Sequence, residues 1–375
     1  MRDRDAAGNM TGLWPYVITV LLSLCIAPGV PGAEKKKRIF IVSSYHKAYL
    51  WSQSTQQGLS EAMLKYDYLD HPQQAATLVA DDRVESAKAV IQKAWMDTKR
   101  KNHVSDIALT TQRIMQAISE FQPDLVLLGD DNAANYIGNQ LLDTGIPVVF
   151  WGLNGLPLKY GLVDSMDNPG HNVTGVWQAG YHKESLELLS NLVPDAKTFA
   201  VLACDSVTTR PSIKQIRHLD RTGQLPLQLV DVVVTNSFTT FKRRALELAR
   251  QVDAFFILNH DTLRDDEGKH VDMLTVGKWY LTHIFKPEAS SEDQFVREGM
   301  LLTANDSGYN QGYTAFEMAY DILEQGFNPG RMRTKTPPKG RGMINRRRAE
   351  MLGLSFADKK AFIDDVIDRA IALEK

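Results

Sequence analysis

Cysteine is nearly absent from this chain of 375 residues, which holds two, Cys25 and Cys204. Two thiols cannot make a disulfide framework, and no paired Cys/His spacing of a structural zinc site occurs. An excess of charge of either sign is lacking too. Lys and Arg number 43 against 45 Asp and Glu, a net charge of −2 with a pI near 6.5, so there is no overall electrostatic reason to bind nucleic acid or an anionic membrane. Catalytic signatures are missing as well: no G-x-S-x-G elbow, no G-x-x-x-x-G-K-[ST] phosphate loop and no H-E-x-x-H zinc helix. The acidic stretch Asn259–Gly268 fails the D-x-[DN]-x-[DN]-G spacing of a calcium loop. Neither a cofactor nor a metal is expected.

The chain is otherwise ordinary globular material, 43% hydrophobic and 23% charged, which excludes disorder, collagen and coiled coil. Its first apolar run, Leu13–Ile26, has 14 residues broken only by Thr19 and Ser23. That is short for a bilayer span and fits the apolar part of an export signal, with a cleavage zone near residues 29–33. Residues 1–33 are therefore expected to be a signal peptide, and the mature chain to be periplasmic or otherwise extracytoplasmic.

From residue 34 onward, apolar runs of four to six residues alternate with amphipathic stretches. Strands are expected at Arg38–Val42, Asp124–Leu128, Pro147–Trp151, Thr198–Ala203, Leu229–Val234 and Asp253–Leu258. Helices are expected at Gln53–Tyr66, Ser185–Leu192, Phe241–Val252 and Tyr313–Gln325. Continuous apolar strands separated by helices predict parallel sheets covered on both faces. The expected fold is α/β, with two doubly wound three-layer lobes, a hinge and an interlobe cleft. The N-terminal lobe is drawn at 34–168 with a return segment at about 303–340, the C-terminal lobe at 169–302, and a C-terminal extension with a terminal helix at 341–375. Crossings between lobes are placed at 168–175, 298–303 and 334–340.

Ligands of such folds bind beyond the carboxyl ends of the strands, and polar and aromatic residues collect there. Ser44, Tyr45, His46 and Trp51 follow the first strand, Asp130, Asp131 and Asn132 follow Leu128, and Trp151 and Asn154 follow Phe150. Trp177 comes just after the first crossing, and the second lobe offers Asp205, Asn259, Asp261, Asn305 and Asp306. Each Asp, Asn or Ser taken singly is equally a helix cap. Their recurrence at several strand ends, with aromatic rings beside them, makes them the candidate ligand-binding set.

Gly152, Asn172-Val-Thr-Gly-Val176, Leu192-Val-Pro-Asp-Ala196, Asp321-Ile-Leu-Glu-Gln-Gly326 and Ile344-Asn-Arg-Arg-Arg-Ala349 with Leu352-Gly-Leu354 resemble the ABC-transporter substrate-binding protein family, of type I periplasmic-binding fold. Ser44-Tyr-His46 with Trp51, Met96-Asp-Thr-Lys-Arg100, Asp130-Asp-Asn-Ala133 and Pro147–Asn154 are similar to a subgroup found as extracellular sensors of histidine kinases. The resemblance implies capture of a small polar or aromatic solute, such as an amino acid, by closure of two lobes, with an ABC permease as partner. A sensing subunit for a membrane kinase is the alternative, and a hydrolase built on Ser43 or Ser44 with His46 a remote one. A monomer is expected. An α-carboxylate suits the N–H groups near Asp131 or the loop at Ser44, an α-ammonium suits Asp261 or Asp306, and Trp51, Trp151 or Trp177 suits a flat side chain. The eight basic residues between Arg331 and Arg348, with no acidic one among them, are expected to form an exposed crossing segment.

Overall fold

A computed structural model describes residues 35–357 and 361–374; the signal expected over residues 1–33 lies outside the described residues. Two sheets organise the rest. The first holds β1 (Lys37–Ser43), β2 (Arg83–Glu85), β3 (Ala89–Trp95), β4 (Leu125–Gly129), β5 (Val148–Leu153) and β6 (Val173–Trp177) in the order β2-β3-β1-β4-β5-β6. Only β2 is antiparallel to its neighbour. The second holds β7 (Thr198–Ala203), β8 (Gln228–Val234), β9 (Ala254–Ile257), β10 (Glu288–Ser290), β11 (Leu302–Ala304), β12 (Gly342–Asn345) and β13 (Asp365–Ile367), ordered β13-β12-β11-β10-β9-β7-β8. Its one antiparallel pairing is β11 with β12.

Successive side chains of a strand face opposite sides of its sheet, and here both sides are apolar. Ile39, Ile41, Leu125, Leu127, Val149 and Trp151 face the helices Leu50–Lys65 and Gly308–Gln325. Phe40, Val42, Val126, Leu128, Val148 and Phe150 face the helix Val104–Phe121 and the residues after β4. The second sheet is clad likewise: Ala200, Leu202, Phe255 and Ile257 pack on the helices Phe238–Leu248 and Met273–His283, while Phe199, Val201 and Phe256 pack on His182–Leu192 and Thr209–Arg221. The fold class is the expected one, two α/β lobes.

The crossings differ in place from those drawn on the sequence. The crossing expected at 168–175 leads into β6 and supplies its first three residues, Val173, Thr174 and Gly175, so the chain leaves the first sheet only after Trp177. Gly175 sits there because a Cβ would come within 2.2 Å of the Phe150 carbonyl oxygen. It marks a close strand contact, not a turn. The chain returns after β11 through Asn305–Ser307 into the helix Gly308–Gln325 of the first lobe, and leaves again past Lys335, which bridges to Val176. Of the expected C-terminal extension, Gly342–Asn345 and Asp365–Ile367 form β12 and β13 of the second sheet and so are part of that lobe.

The basic segment is also only partly exposed. Arg348 is fully buried, paired with Glu288 at 2.8 Å and donating to the carbonyls of Leu281, Ile284 and Lys286. Arg346 and Arg333 pair with Asp368 and Asp167.

Candidate functional site

The carboxyl ends of β1, β3 and β4 meet those of β7 and β9 across the gap between the lobes. Tyr49, from the turn after β1, donates to the Asp261 carboxylate beyond β9. Lys99, in the turn after β3, brings its ammonium 3.0 Å from the same carboxylate, with both side chains under 5% exposed. Asn259 donates to Tyr49 Oη and to Asp261 Oδ2 at 3.2 Å each. Lys99 also lies 4.3 Å from the centre of the Tyr45 ring and 3.4 Å from the Thr208 hydroxyl of the second lobe. One buried cation and one buried anion, each from a different lobe, thus join the two halves.

Burial alone would lower the Lys99 pKa, but the charge and hydrogen bond of Asp261, with Cys204 and Asp130 nearby, together outweigh it and the pKa is raised. Burial likewise opposes the Asp261 carboxylate, and Lys99 with the Tyr49 hydroxyl holds its pKa below the usual range. The pair is ionised. Around it burial dominates, pushing the Cys204 thiol up to about 11 and Glu292 up to about 8. His46 is lowered by burial and by Arg100.

Among the described residues, one cavity of about 360 Å³ lies between the lobes beside Asn305 and Ser307, and three more open along the gap. A small one of about 50 Å³ is walled by His46, Tyr49, Lys99, Asp261 and His270. A larger one of about 560 Å³ takes Thr98, Lys99, Asn132 and Tyr136 from the first lobe and Asp205, Thr208 and Arg264 from the second. Its size suits a small solute. Tyr136 enters it from a π-helical turn, Ala134–Gly138, that interrupts the helix after β4. The third cavity, about 650 Å³, lies on the other side of Arg210 and includes Asn154 and Trp177.

The candidate residues therefore divide. Asp261 is one half of the interlobe pair, with Tyr45, His46 and Asn259 around it; Asn132 and Asp205 line the larger cavity, and Asn154 and Trp177 the third. The others hold the framework. Ser44 Oγ donates to the Gly129 carbonyl at 2.6 Å and accepts the Ala133 N–H at 2.8 Å, closing a helix start. Asp131 accepts from Asn154, Gly155 and Tyr160. Asp130, in the left-handed region at φ 67°, accepts the Trp51 indole N–H at 2.7 Å. Both Trp51 and Trp151 are buried, and Trp151 packs in the first-lobe core because its place in β5 turns it toward the helices. Asn305 and Asp306 belong to the hinge: Asp306 accepts the Gly180 N–H at 2.8 Å, tying one crossing to another, and Asn305 accepts the Asp293 N–H at 2.9 Å.

Lys99, Tyr136 and Thr208 were not among the candidates. Lys99 lies in Met96–Arg100, a stretch that carries part of the family resemblance, but it follows β3. That strand includes Gln92 and Lys93, which break the apolar run by which the other strands are read.

Comparison with known proteins adds three findings. The family model described as ABC transporter substrate binding protein matches residues 86–361. A tyrosine-binding protein of Clostridioides difficile (strain R20291) is 23% identical over 216 residues, 57% of this chain and 59% of that protein. The match thus spans less than two thirds of the relative. Among solved structures, the ABC domain in complex with L-Trp from Streptococcus pneumonia aligns with a TM-score of 0.68 at 18% identity, covering 89% of this chain and all of that one. The ligand-free, open structure of a substrate binding protein with adhesive properties from Clostridium difficile aligns at 0.63 and 20% identity, with the same coverage.

Proposed function

Because the chain belongs to the ABC transporter substrate-binding protein family, we propose that it captures a zwitterionic solute, an amino acid with an aromatic side chain, between its lobes and delivers it to an ABC permease outside the cytoplasm. The observation that carries this reading is the Lys99–Asp261 pair. Its two charges come from opposite lobes and satisfy each other. An amino acid offers the same two charges in mirror arrangement, its carboxylate for Lys99 and its ammonium for Asp261, so its entry replaces one buried pair by two. Tyr136 and the adjoining cavity suit a flat side chain. The names of a tyrosine-binding relative and of a tryptophan complex are in keeping with this choice.

Binding without chemistry is the reading we favour. The Ser44 hydroxyl is committed to Gly129 and Ala133, which takes it away from the serine–histidine pairing a hydrolase would need of it. Among the described residues no helix is long and apolar enough to cross a membrane.

The test is a thermal-shift and calorimetric titration of the chain. L-tyrosine or L-tryptophan should raise the melting temperature by several degrees, since a ligand at a hundred times its Kd stabilises by about 2.7 kcal/mol. N-acetyl-tyrosine and tyrosinamide, each lacking one charge, should bind at least 100-fold more weakly, as should tyrosine itself to Asp261→Asn. No shift with any aromatic amino acid, or an unchanged response in that variant, overturns the reading.

A further inference from the structure

The third of the cavities along the gap is unlike the other two in its charge. It is walled by Lys159 of the first lobe and by Arg210, Lys214, His218 and Arg221 of the second, and no Asp or Glu lines it. The four second-lobe residues sit at spacings of four, four and three along the helix Thr209–Arg221, which puts them on one face. Arg210 pairs with Asp205 at 2.8 Å, and Lys159, Lys214, His218 and Arg221 have no ion-pair partner among the described residues. The half-buried indole of Trp177 forms part of the opposing wall.

Like charges gathered round a concavity repel one another, and the cost grows when the lobes draw together. A solvated helix face relieves such repulsion by spreading its cations outward. Here a further cation, Lys159, faces them from the other lobe. Arg210 also stands in the first turn of its helix, where the unpaired N–H groups favour an anion over a cation. Each feature is relieved by the same occupant.

We propose that this cavity binds a small anionic ligand, a phosphate ester or polycarboxylate carried on a planar ring, with the anionic group among Lys159, Lys214 and Arg221 and the ring against Trp177. A volume of about 650 Å³ holds such a molecule. Because cations from both lobes meet the anion, its binding favours closure of the gap. The inference does not depend on which amino acid, if any, occupies the neighbouring cavity.

The probes are phenyl phosphate and inorganic phosphate, titrated against the full chain by calorimetry and tryptophan fluorescence, with L-tyrosine in parallel. Phenyl phosphate should bind at least 10-fold more tightly than inorganic phosphate and weaken steeply between 50 and 300 mM salt, as unshielded charge attraction does. The double variant Lys214→Ala/Arg221→Ala should lose at least 10-fold in phenyl phosphate affinity without altering the response to tyrosine, and Trp177→Leu should erase the preference over inorganic phosphate. Absence of binding at millimolar concentration, equal affinity for both phosphates, or an unaffected double variant overturns the proposal. So does recruitment to vesicles containing phosphatidylglycerol without phenyl phosphate binding, which would make the patch a membrane contact. Failure with tyrosine alone bears on the amino-acid reading and leaves this one standing or falling on its own titration.

Discussion

Asp306 shows how a single carboxylate can tie a hinge and load it. It accepts the Gly180 N–H, so the first and second crossings are held together by one group. Its pKa is pushed up to about 6, chiefly by burial, which the Gly180 N–H and Gln311 only partly offset. A carboxyl whose folded pKa is raised favours the protonated form. Its stabilising contribution is fully present below the unfolded value near 3.8 and is lost as pH rises through about 6. At neutral pH the molecule therefore carries a buried charge at a penalty on the order of 3 kcal/mol. Asp306→Asn keeps an acceptor for Gly180 and removes the charge. The melting temperature of the variant relative to the parent should be higher at pH 7.5 than at pH 4, read by calorimetry at both; an equal difference at the two values counts against this account.

At the level of elements, the helices Leu50–Lys65 and Gly308–Gln325 form the closest contact in the first lobe. Gly58 and Gly312 face across it, and a Cβ on either would come to within 2.0 Å of the Tyr309 carbonyl oxygen or 2.1 Å of that of Thr55. Backbone cannot give way as a flexible side chain does. Gly58→Ala should separate the helices and destabilise the chain by about 1–3 kcal/mol in urea unfolding, despite alanine's better helix propensity.

This contact also marks how far a linear reading reaches. The amphipathic face of Tyr313–Gln325 and the apolar runs of β1, β4, β5, β7 and β9 are local patterns and were legible as such. That a helix from the last fifth of the chain belongs beside one from its beginning is a fact of topology, visible beforehand only as a suspected return segment. β3 escaped because Gln92 and Lys93 interrupt its apolar run, and with it went Lys99. Trp151 was legible as an aromatic residue at a strand end, but which sheet face it took depended on register. Asp261 was named for its chemistry, whereas its partner lay some 160 residues away and no spacing joined them.

For the molecule as a whole, the proposed function makes the Lys99–Asp261 contact a determinant of the balance between open and closed lobes. Two opposite charges buried between lobes are costly to leave single, and opening the gap lets water reach both. Lys99→Ala should therefore lower the melting temperature little and open the gap instead. Small-angle scattering without solute should show a radius of gyration larger than that of the parent, and saturating aromatic amino acid should compact the parent but not the variant. An unchanged scattering curve for Lys99→Ala would show that the pair does not govern closure.

The same return of the chain has a consequence for the order in which the molecule can form. The core of the first lobe takes Ala315, Phe316, Met318, Ala319 and Ile322 from the helix Gly308–Gln325 and sets them against Leu59, Met63 and Ile39. A growing chain that has not yet reached those residues leaves the helix Leu50–Lys65 with its apolar face bare, even when every strand of the first sheet has been made. Contacts across such a sequence distance form slowly, and exposed apolar surface is held in the meantime. The second lobe has β7 to β11, five of the seven strands of its sheet, in one continuous stretch that is complete before that helix is reached. The lobe that begins the chain is thus the one that must wait for its completion.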